Sequence, residues 1–461
     1  MKKSGRYLLT SEKCPTCDQL SKSLPISVVE KHFWRFEPRA ENYPIHRWYT
    51  YVQTYSPEFV KYLIQRENIT PGDVIIDPCA GTGTTLVESK LNNINSVGAE
   101  VMSFLAFVSR VKTKWNINAK EIGSSAQNVL DEAAKLQQKY QRVLQIRTLR
   151  NHLERNILEA AETDPKYLSI LERKYFSQKP LSKLLALKEA VLNLNSSKEI
   201  RDLITFALAS IVRPSSNLRF GPEIGLKRKL VEDVDVFGLF RKKISFILED
   251  LEGVQKNPSR ASCEVYQIDS RELDKLHIPF EYQKSHMIFS PPYPQDHDYT
   301  REVRLELILL DFIETNSDIK DMKKRMIRSS TRGVYSSDKD YSYVERFGEI
   351  AEIMRRIDQR VKDTKGTSGF EKLYSKLVGE YFGGMYRLLS SAYDMLTEGG
   401  TMSLLVGDSH AFKMVHIETA KLLEKIGLDI GFKKSKIEVW QYLRSTAHDF
   451  PINENILTLY K

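Results

Sequence analysis

Cysteine is scarce in this chain of 461 residues, with Cys14, Cys17, Cys79 and Cys263 the full set. Four scattered thiols cannot staple a secreted scaffold, which excludes the disulfide-rich class. Cys14 and Cys17 form one CxxC without the second pair that a structural zinc site needs, so they are read as ordinary thiols and no metal is expected. Long apolar runs are also missing. No stretch approaches the roughly 18 apolar residues of a membrane span, and the opening MKKSGRYLLTSEKC has no apolar run of signal-peptide length. The chain is read as cytoplasmic, without a membrane partner. No internal repeat is visible.

What is present is an ordinary globular mixture, 41% apolar and 28% charged. The length suits one large domain, or a core domain with a substantial insertion. Basic residues exceed acidic ones by nine, and a pI near 9.0 points toward a polyanionic partner. A merely basic protein would show the same balance, so charge alone identifies nothing.

Residues 1–45 carry no clear period. DVII (73–76) reads as a short β-branched strand, followed by the turn Asp77-Pro-Cys-Ala-Gly-Thr-Gly83, a helix TTLVESKLNN and a second strand SVGAE ending at Glu100. This is a parallel α/β unit. From about 103 to 258 the period is mostly helical, with one loop-like break from Arg213 to Lys229. The α/β pattern resumes at CEVYQIDS (263–270) and HMIFS (286–290). A polar, basic stretch covers 323–343. A helix over 371–396, a strand TMSLLVG, a helix over 412–426 and a terminal antiparallel pair, KIEVWQYL with ENILTLY, complete the chain. The expected fold class is α/β: an open, mainly parallel sheet with helices on both faces, interrupted by a long helical insertion. The expected division is an extension 1–45, core segments 46–102, 259–301 and 371–461, a helical insertion 103–258 and a basic insertion 302–370.

The turn after the first strand carries chemistry. Gly81 and Gly83 permit a sharp turn and close backbone approach to a ligand. The third glycine of a dinucleotide fingerprint is absent, and Asp77 ends the strand, where a carboxylate suits a cation better than a pyrophosphate. Glu100 can accept from both ribose hydroxyls, and Asp269 from an adenine amino group. A ligand with ribose, adenine and a positive charge is S-adenosylmethionine. A GTG turn alone is weak, and each acid alone could be a solvated strand end. Three acids at successive strand ends beside that turn are harder to dismiss.

Ser290-Pro-Pro-Tyr293 directly follows Met287-Ile-Phe289. Two prolines cannot continue a central strand, so they fix a rigid loop at the carboxyl edge of the sheet, where open α/β folds bind ligands. An aromatic amino group is a poor nucleophile because its lone pair is delocalised. The Ser290 hydroxyl and the carbonyl of Pro291 or Pro292 can accept its hydrogens and favour a more tetrahedral nitrogen. Tyr293 can stack on a base that has left the helix.

The pair DPCAGTGTT and SPPY resembles the DNA amino-methyltransferases of bacterial modification systems, which act on cytosine N4 or adenine N6. The resemblance covers about 45–110 and 262–461, and PPYPQDHDYTREVRLEL is similar to a subgroup of cytosine-N4 enzymes. It implies the Rossmann-like methyltransferase fold, with Asp77, Ala80, Gly81, Gly83, Glu100 and Asp269 binding S-adenosylmethionine. It implies Ser290, Pro291, Pro292 and Tyr293 as the catalytic loop, and residues 46–63 as the element against the methionine end of the cofactor. Cytosine N4 in double-stranded DNA is the expected target, with adenine N6 or an RNA guanine N2 as alternatives, and a cognate restriction endonuclease as an expected partner. A nucleic-acid-binding subunit with a degenerate core is the non-enzyme rival, opposed by the intact motifs. Cys79 follows a proline, as the nucleophile of C5-methyltransferases does, but lies in the cofactor turn and is read as a small turn residue. For DNA contact the candidates are Arg213, Asn217, Arg219, Lys227 and Arg228 in the first basic segment, and Arg325, Arg328 and Arg332 in the second.

Overall fold

The computed structural model describes residues 27–28, 43–150, 174–221, 224–410, 412–444 and 451–461, with the backbone alone at 27–28, 145–150, 316, 443–444 and 451. Cys14 and Cys17 lie outside the described residues.

Short β-branched and apolar runs form the centre of one sheet. Its strands are β1 (Ser27–Val28), β2 (Val74–Asp77), β3 (Asn95–Ala99), β4 (Cys263–Tyr266), β5 (Ser285–Phe289), β6 (Thr401–Gly407), β7 (Lys434–Arg444) and β8 (Pro451–Tyr460), in the order β1-β7-β8-β6-β5-β2-β3-β4. Every residue of β2, β5 and β6 is buried, which is why these strands read as continuous apolar runs rather than alternating ones. Neighbours run parallel except β8, which is antiparallel to both β6 and β7. This is the open, mainly parallel α/β sheet that the sequence suggested.

The order reverses between β2 and β5. From β2 the chain continues outward through β3 and β4, while β5 leads to β6 on the other side. Such a switch point opens a crevice beyond the strand carboxyl ends. Ile76 of β2 pairs with Met287 of β5, so the turn at Asp77 and the loop at Ser290 leave the sheet side by side.

Both faces are covered. Helix Pro57–Arg66 starts at Ser56, whose hydroxyl accepts from Glu58 N, with Pro57 in the first turn. Its Phe59, Val60 and Leu63 pack on Ile75, Ile288 and Leu405. Helix Tyr374–Met395 covers the other face through Leu377, Phe382 and Leu389. The region between β3 and β4 adds helices Ala119–Arg150, Gln178–Leu192, Lys198–Val212 and Val236–Lys256, which share an apolar core containing Leu184, Phe206 and Phe240. Asp250, 4% exposed, ties the last of them to the segment before Pro57. It accepts from Ile45 N at 2.7 Å, Trp48 Nε1 at 2.8 Å and the Arg47 guanidinium at 2.6 Å.

Two elements differ from expectation. The helix expected over 412–426 is Thr419–Ile430. Lys413 and Met414 take positive φ, which ends helical geometry, while Phe412, Val415 and Ile417 are buried as a turn. At the sheet edge, β4 stops at Tyr266, three residues before Asp269.

Candidate active site

Asp77 is the last residue of β2 and fully buried. Tyr55 Oη donates to its Oδ2 at 2.9 Å and Cys79 N to its Oδ1 at 3.0 Å. Gly81 and Gly83 have φ of 53° and 80°, a region that favours glycine. At Gly83 space forbids a side chain as well: a Cβ would lie 3.1 Å from Ser109 Oγ, which itself donates to Gly81 O at 2.7 Å. Glu100 follows β3 and accepts from Gly81 N and Met102 N, each at 2.8 Å. Burial pushes the Asp77 and Glu100 carboxyls up to about 7. Among the described residues, neither forms an ion pair.

The second half of the site leaves β5. Ser290 Oγ lies 3.1 Å from Leu405 O and 3.2 Å from Tyr293 Oη. Tyr293 Oη donates to Glu454 Oε1 at 2.9 Å, and Gln441 Nε2 donates to Glu454 Oε2 at 2.5 Å. The Tyr293 ring lies on Gly407, where a Cβ would come within 3.2 Å of it. Tyr299 Oη accepts from Tyr293 N at 3.1 Å, which fixes the turn after the prolines.

A cavity of about 340 Å³ joins the halves, a volume in the range of small-molecule sites. Gly81, Glu100, Ser290, Pro291, Pro292 and Tyr293 line it. Asp77 lies behind the wall made by Tyr55 and Pro78. Ala80 and Gly83 shape the turn from beneath, with Ala80 packed on Leu86. Asp269 departs from expectation. Its neighbour Ser270 lines the cavity, while both Asp269 oxygens accept from Arg271, the closest contact being 2.6 Å. An acid paired two residues away in a turn does not present a free carboxylate to a ligand.

Sequence reasoning missed Glu454 and Gln441, which line the cavity from the terminal hairpin. The hairpin itself was readable, but no local signal said that its polar residues reach the catalytic loop. Gln53, Thr54 and Tyr55, also in the wall, belong to the segment 46–63 that the resemblance had marked.

The DNA methylase family model matches residues 12–108. Type II methyltransferase M.BsoBI of Geobacillus stearothermophilus is 24% identical over 86% of this chain and 80% of its own length. Type II methyltransferase M.AvaI of Nostoc is 23% identical over the same shares. Type II methyltransferase M.MjaII of Methanocaldococcus jannaschii is 37% identical over 15% of this chain and 13% of its own length. No solved structure gives a significant match.

These matches support a place for this chain among the DNA amino-methyltransferases. Its methyl donor is S-adenosylmethionine, and its substrate is DNA. Among the described residues, no group of three or more His, Cys, Asp or Glu could hold a metal ion, and no helix is long and apolar enough to cross a membrane.

For a DNA methyltransferase the disposition of basic side chains matters, and here several expectations change. Asn217 is 2% exposed. It holds its own loop, donating to Lys174 O and accepting from Val231 N. Arg328 is 5% exposed, makes a two-point ion pair with Asp338 at 2.8 Å and donates to three main-chain carbonyls. Neither is available to DNA, because each is spent on internal partners. Arg213 and Lys227 are half-buried and also committed: Arg213 donates to Glu302 O, Arg219 O and Gly221 O, and Lys227 to Ser216 O. Arg219, Arg228, Arg325 and Arg332 keep exposed side chains. The second segment is strapped to the residues that follow the Ser-Pro-Pro-Tyr loop. Asp296 Oδ1 accepts from Thr331 N at 2.7 Å, Ser329 Oγ donates to His297 O at 2.9 Å, and Lys323 pairs with Asp298 at 2.5 Å.

Proposed function

We propose that the protein methylates N4 of a flipped-out cytosine in double-stranded DNA, as the modification partner of a cognate restriction endonuclease. The observation that carries the reading is a cavity between a glycine turn, with Glu100 in its wall and Asp77 behind it, and a Ser-Pro-Pro-Tyr loop, at adjacent strand ends. Relatives named as Type II methyltransferases over most of the chain support the modification role. A serine opening the tetrapeptide favours cytosine over adenine.

The residues present fit S-adenosylmethionine. A buried carboxylate without a basic partner is costly, and a cation entering the cavity beside Glu100, with Asp77 behind the wall, relieves that cost. Gly81, at positive φ, has open space where a side chain would stand, so a ligand can lie on the backbone. In this reading Gly81, Gly83 and Ala80 shape the cradle, Glu100 accepts from the ribose hydroxyls, and Asp77 works through Tyr55 and the turn. The cofactor supplies a methyl carbon activated by sulfonium.

Ser290 and the Pro291 or Pro292 carbonyl accept the hydrogens of the base amino group and orient its lone pair. Tyr293, its ring seated on Gly407, flanks the base. Orientation does much of the work in such an in-line transfer. The regions 103–258 and 302–370 serve recognition, with Arg325 and Arg332 beside the catalytic loop and Arg219 and Arg228 on the other exposed loop.

The deciding experiment is long-read sequencing and nucleoside mass spectrometry of DNA from cells with and without the gene. N4-methylcytosine in a fixed sequence context is the expected result. N6-methyladenine would reassign the base. 5-Methylcytosine would overturn the mechanism, since no nucleophilic cysteine lies in the catalytic loop.

A further inference from the structure

Glu454 has no task in the chemistry described so far. It stands on β8, in register with Gly407 of β6 and with Gln441 of β7. Because Gly407 lacks a side chain, the Tyr293 ring lies flush on β6 and its hydroxyl reaches Glu454 Oε1 at 2.9 Å. Ser290 Oγ follows at 3.2 Å from Tyr293 Oη. Ser290, Tyr293 and Glu454 all line the cavity. They form an unbroken file from the place assigned to the substrate amino group to a buried carboxylate.

Methylating an aromatic amine releases a proton. As the nitrogen–carbon bond forms and the carbon–sulfur bond breaks, the bond pair stays on sulfur and the nitrogen becomes cationic. Its proton must then leave the nitrogen. We propose that Glu454 takes up this proton through Ser290 and Tyr293. The amino proton passes to Ser290 Oγ, the serine proton to Tyr293 Oη, and the tyrosine proton to Glu454 Oε1. The products are the N-methylated base, neutral S-adenosylhomocysteine and a protonated Glu454, which then gives its proton to solvent after product release. The inference rests on the assignment of Ser290 to the substrate amino group.

Neighbouring elements keep the carboxylate from other duties. Gln441 Nε2 holds its second oxygen. Gly407 and Gln441 beside it do not titrate, and the titratable neighbours are Tyr293 and, behind it, Tyr299. Burial raises the Glu454 carboxyl above its ordinary value, which brings it closer to the range of an effective proton acceptor. Ionised Glu454 is the competent form, so the rate falls as pH drops through its titration.

The test uses the whole chain and Glu454→Gln, with single-turnover methyl transfer at saturating S-adenosylmethionine and DNA between about pH 5 and pH 8. The variant is expected to bind cofactor as the wild type does, to react about tenfold more slowly or worse, and to lose the acid limb of the profile. Infrared titration of the cofactor-free proteins is expected to show one protonated-carboxyl band, persisting above the ordinary glutamate range, that Glu454→Gln lacks. The infrared band locates the Glu454 titration, and a mere buttress for the Tyr293 ring would leave the acid limb of the rate in place. A wild-type rate in Glu454→Gln, a retained acid limb, or no missing infrared band each overturns the proposal. If Glu454→Gln does not fold, Tyr293→Phe cuts the same file and must show the same slow profile without the limb; a wild-type profile there also overturns it. A wild-type protein that methylates no DNA base sinks the functional reading instead.

Discussion

Cofactor affinity should rise steeply with pH, and the structure gives the size of the effect. Burial holds the Asp77 and Glu100 carboxyls at about 7 in the cofactor-free protein. A bound cation favours the ionised carboxyl, so protons leave as the ligand arrives, and affinity is lost as pH falls through 7. For a carboxyl that must be ionised, the competent fraction falls roughly tenfold between pH 8 and pH 6. Glu100, in the cavity wall, thus weakens binding by about 1.4 kcal/mol over that span, roughly tenfold, and Asp77, behind the wall, adds at most as much again. Calorimetry at pH 6, 7 and 8, in two buffers of different ionisation heat, reads both affinity and proton release. Asp77→Asn and Glu100→Gln should each remove part of the slope. The ligand's own α-amino group titrates near 8 in every series, so comparing variants with wild type cancels it. An affinity that is flat from pH 6 to pH 8, with no buffer-dependent heat, refutes the placement of the cofactor against these carboxyls.

Ser290→Ala should slow methyl transfer by about tenfold or more while leaving cofactor affinity nearly unchanged, since the proposed reading sets the hydroxyl against the base; rapid-quench kinetics beside calorimetry separates the two. Replacing Arg325 and Arg332 together with Ala should weaken DNA binding and lower the salt slope by roughly two, and unchanged binding across a salt series removes that surface from the interface. Arg328→Ala should instead destabilise the fold, because it strands the buried Asp338 carboxylate at a cost of about 3–5 kcal/mol, read by denaturant unfolding. Asp250→Ala should cost a similar amount, because it leaves Ile45 N and Trp48 Nε1 buried without their acceptor; a loss within about 0.5 kcal/mol would show that this anchor is dispensable.

The parts of the site that could be read in the sequence are those made by consecutive residues. The glycine turn and the Ser-Pro-Pro-Tyr loop announce themselves because backbone geometry at a strand end restricts which residues fit. The buried strands were equally plain, since parallel strands covered on both faces leave short runs that are apolar without alternation. Side-chain pairing was not legible. Arg271 is visible two residues after Asp269, but only the turn shows that it folds back onto both carboxylate oxygens. Arg328 and Arg332 look alike in the basic stretch. Asp338 and three carbonyls bury the first, while the second remains exposed with its guanidinium over Phe370.

The same distinction explains why Glu454 was hidden. Sequence separates it from Tyr293 by 161 positions, and only the insertion of antiparallel β8 between β6 and β7 delivers it to the cavity. Sheet order is a global property, fixed by which apolar faces can be buried together, and no local motif encodes it. The division has a chemical consequence. The residues proposed to touch the ligands sit at strand ends, where short-range geometry holds them. The carboxylate that can take up a proton comes from a distant hairpin, which Gly407 admits by leaving room for the Tyr293 ring. A methyl group at position 407 would press on that ring at 3.2 Å and push it off its place in the file while leaving both sequence motifs intact, so Gly407→Ala should retain cofactor binding and lose rate, whereas a wild-type rate would show that the ring tolerates the shift.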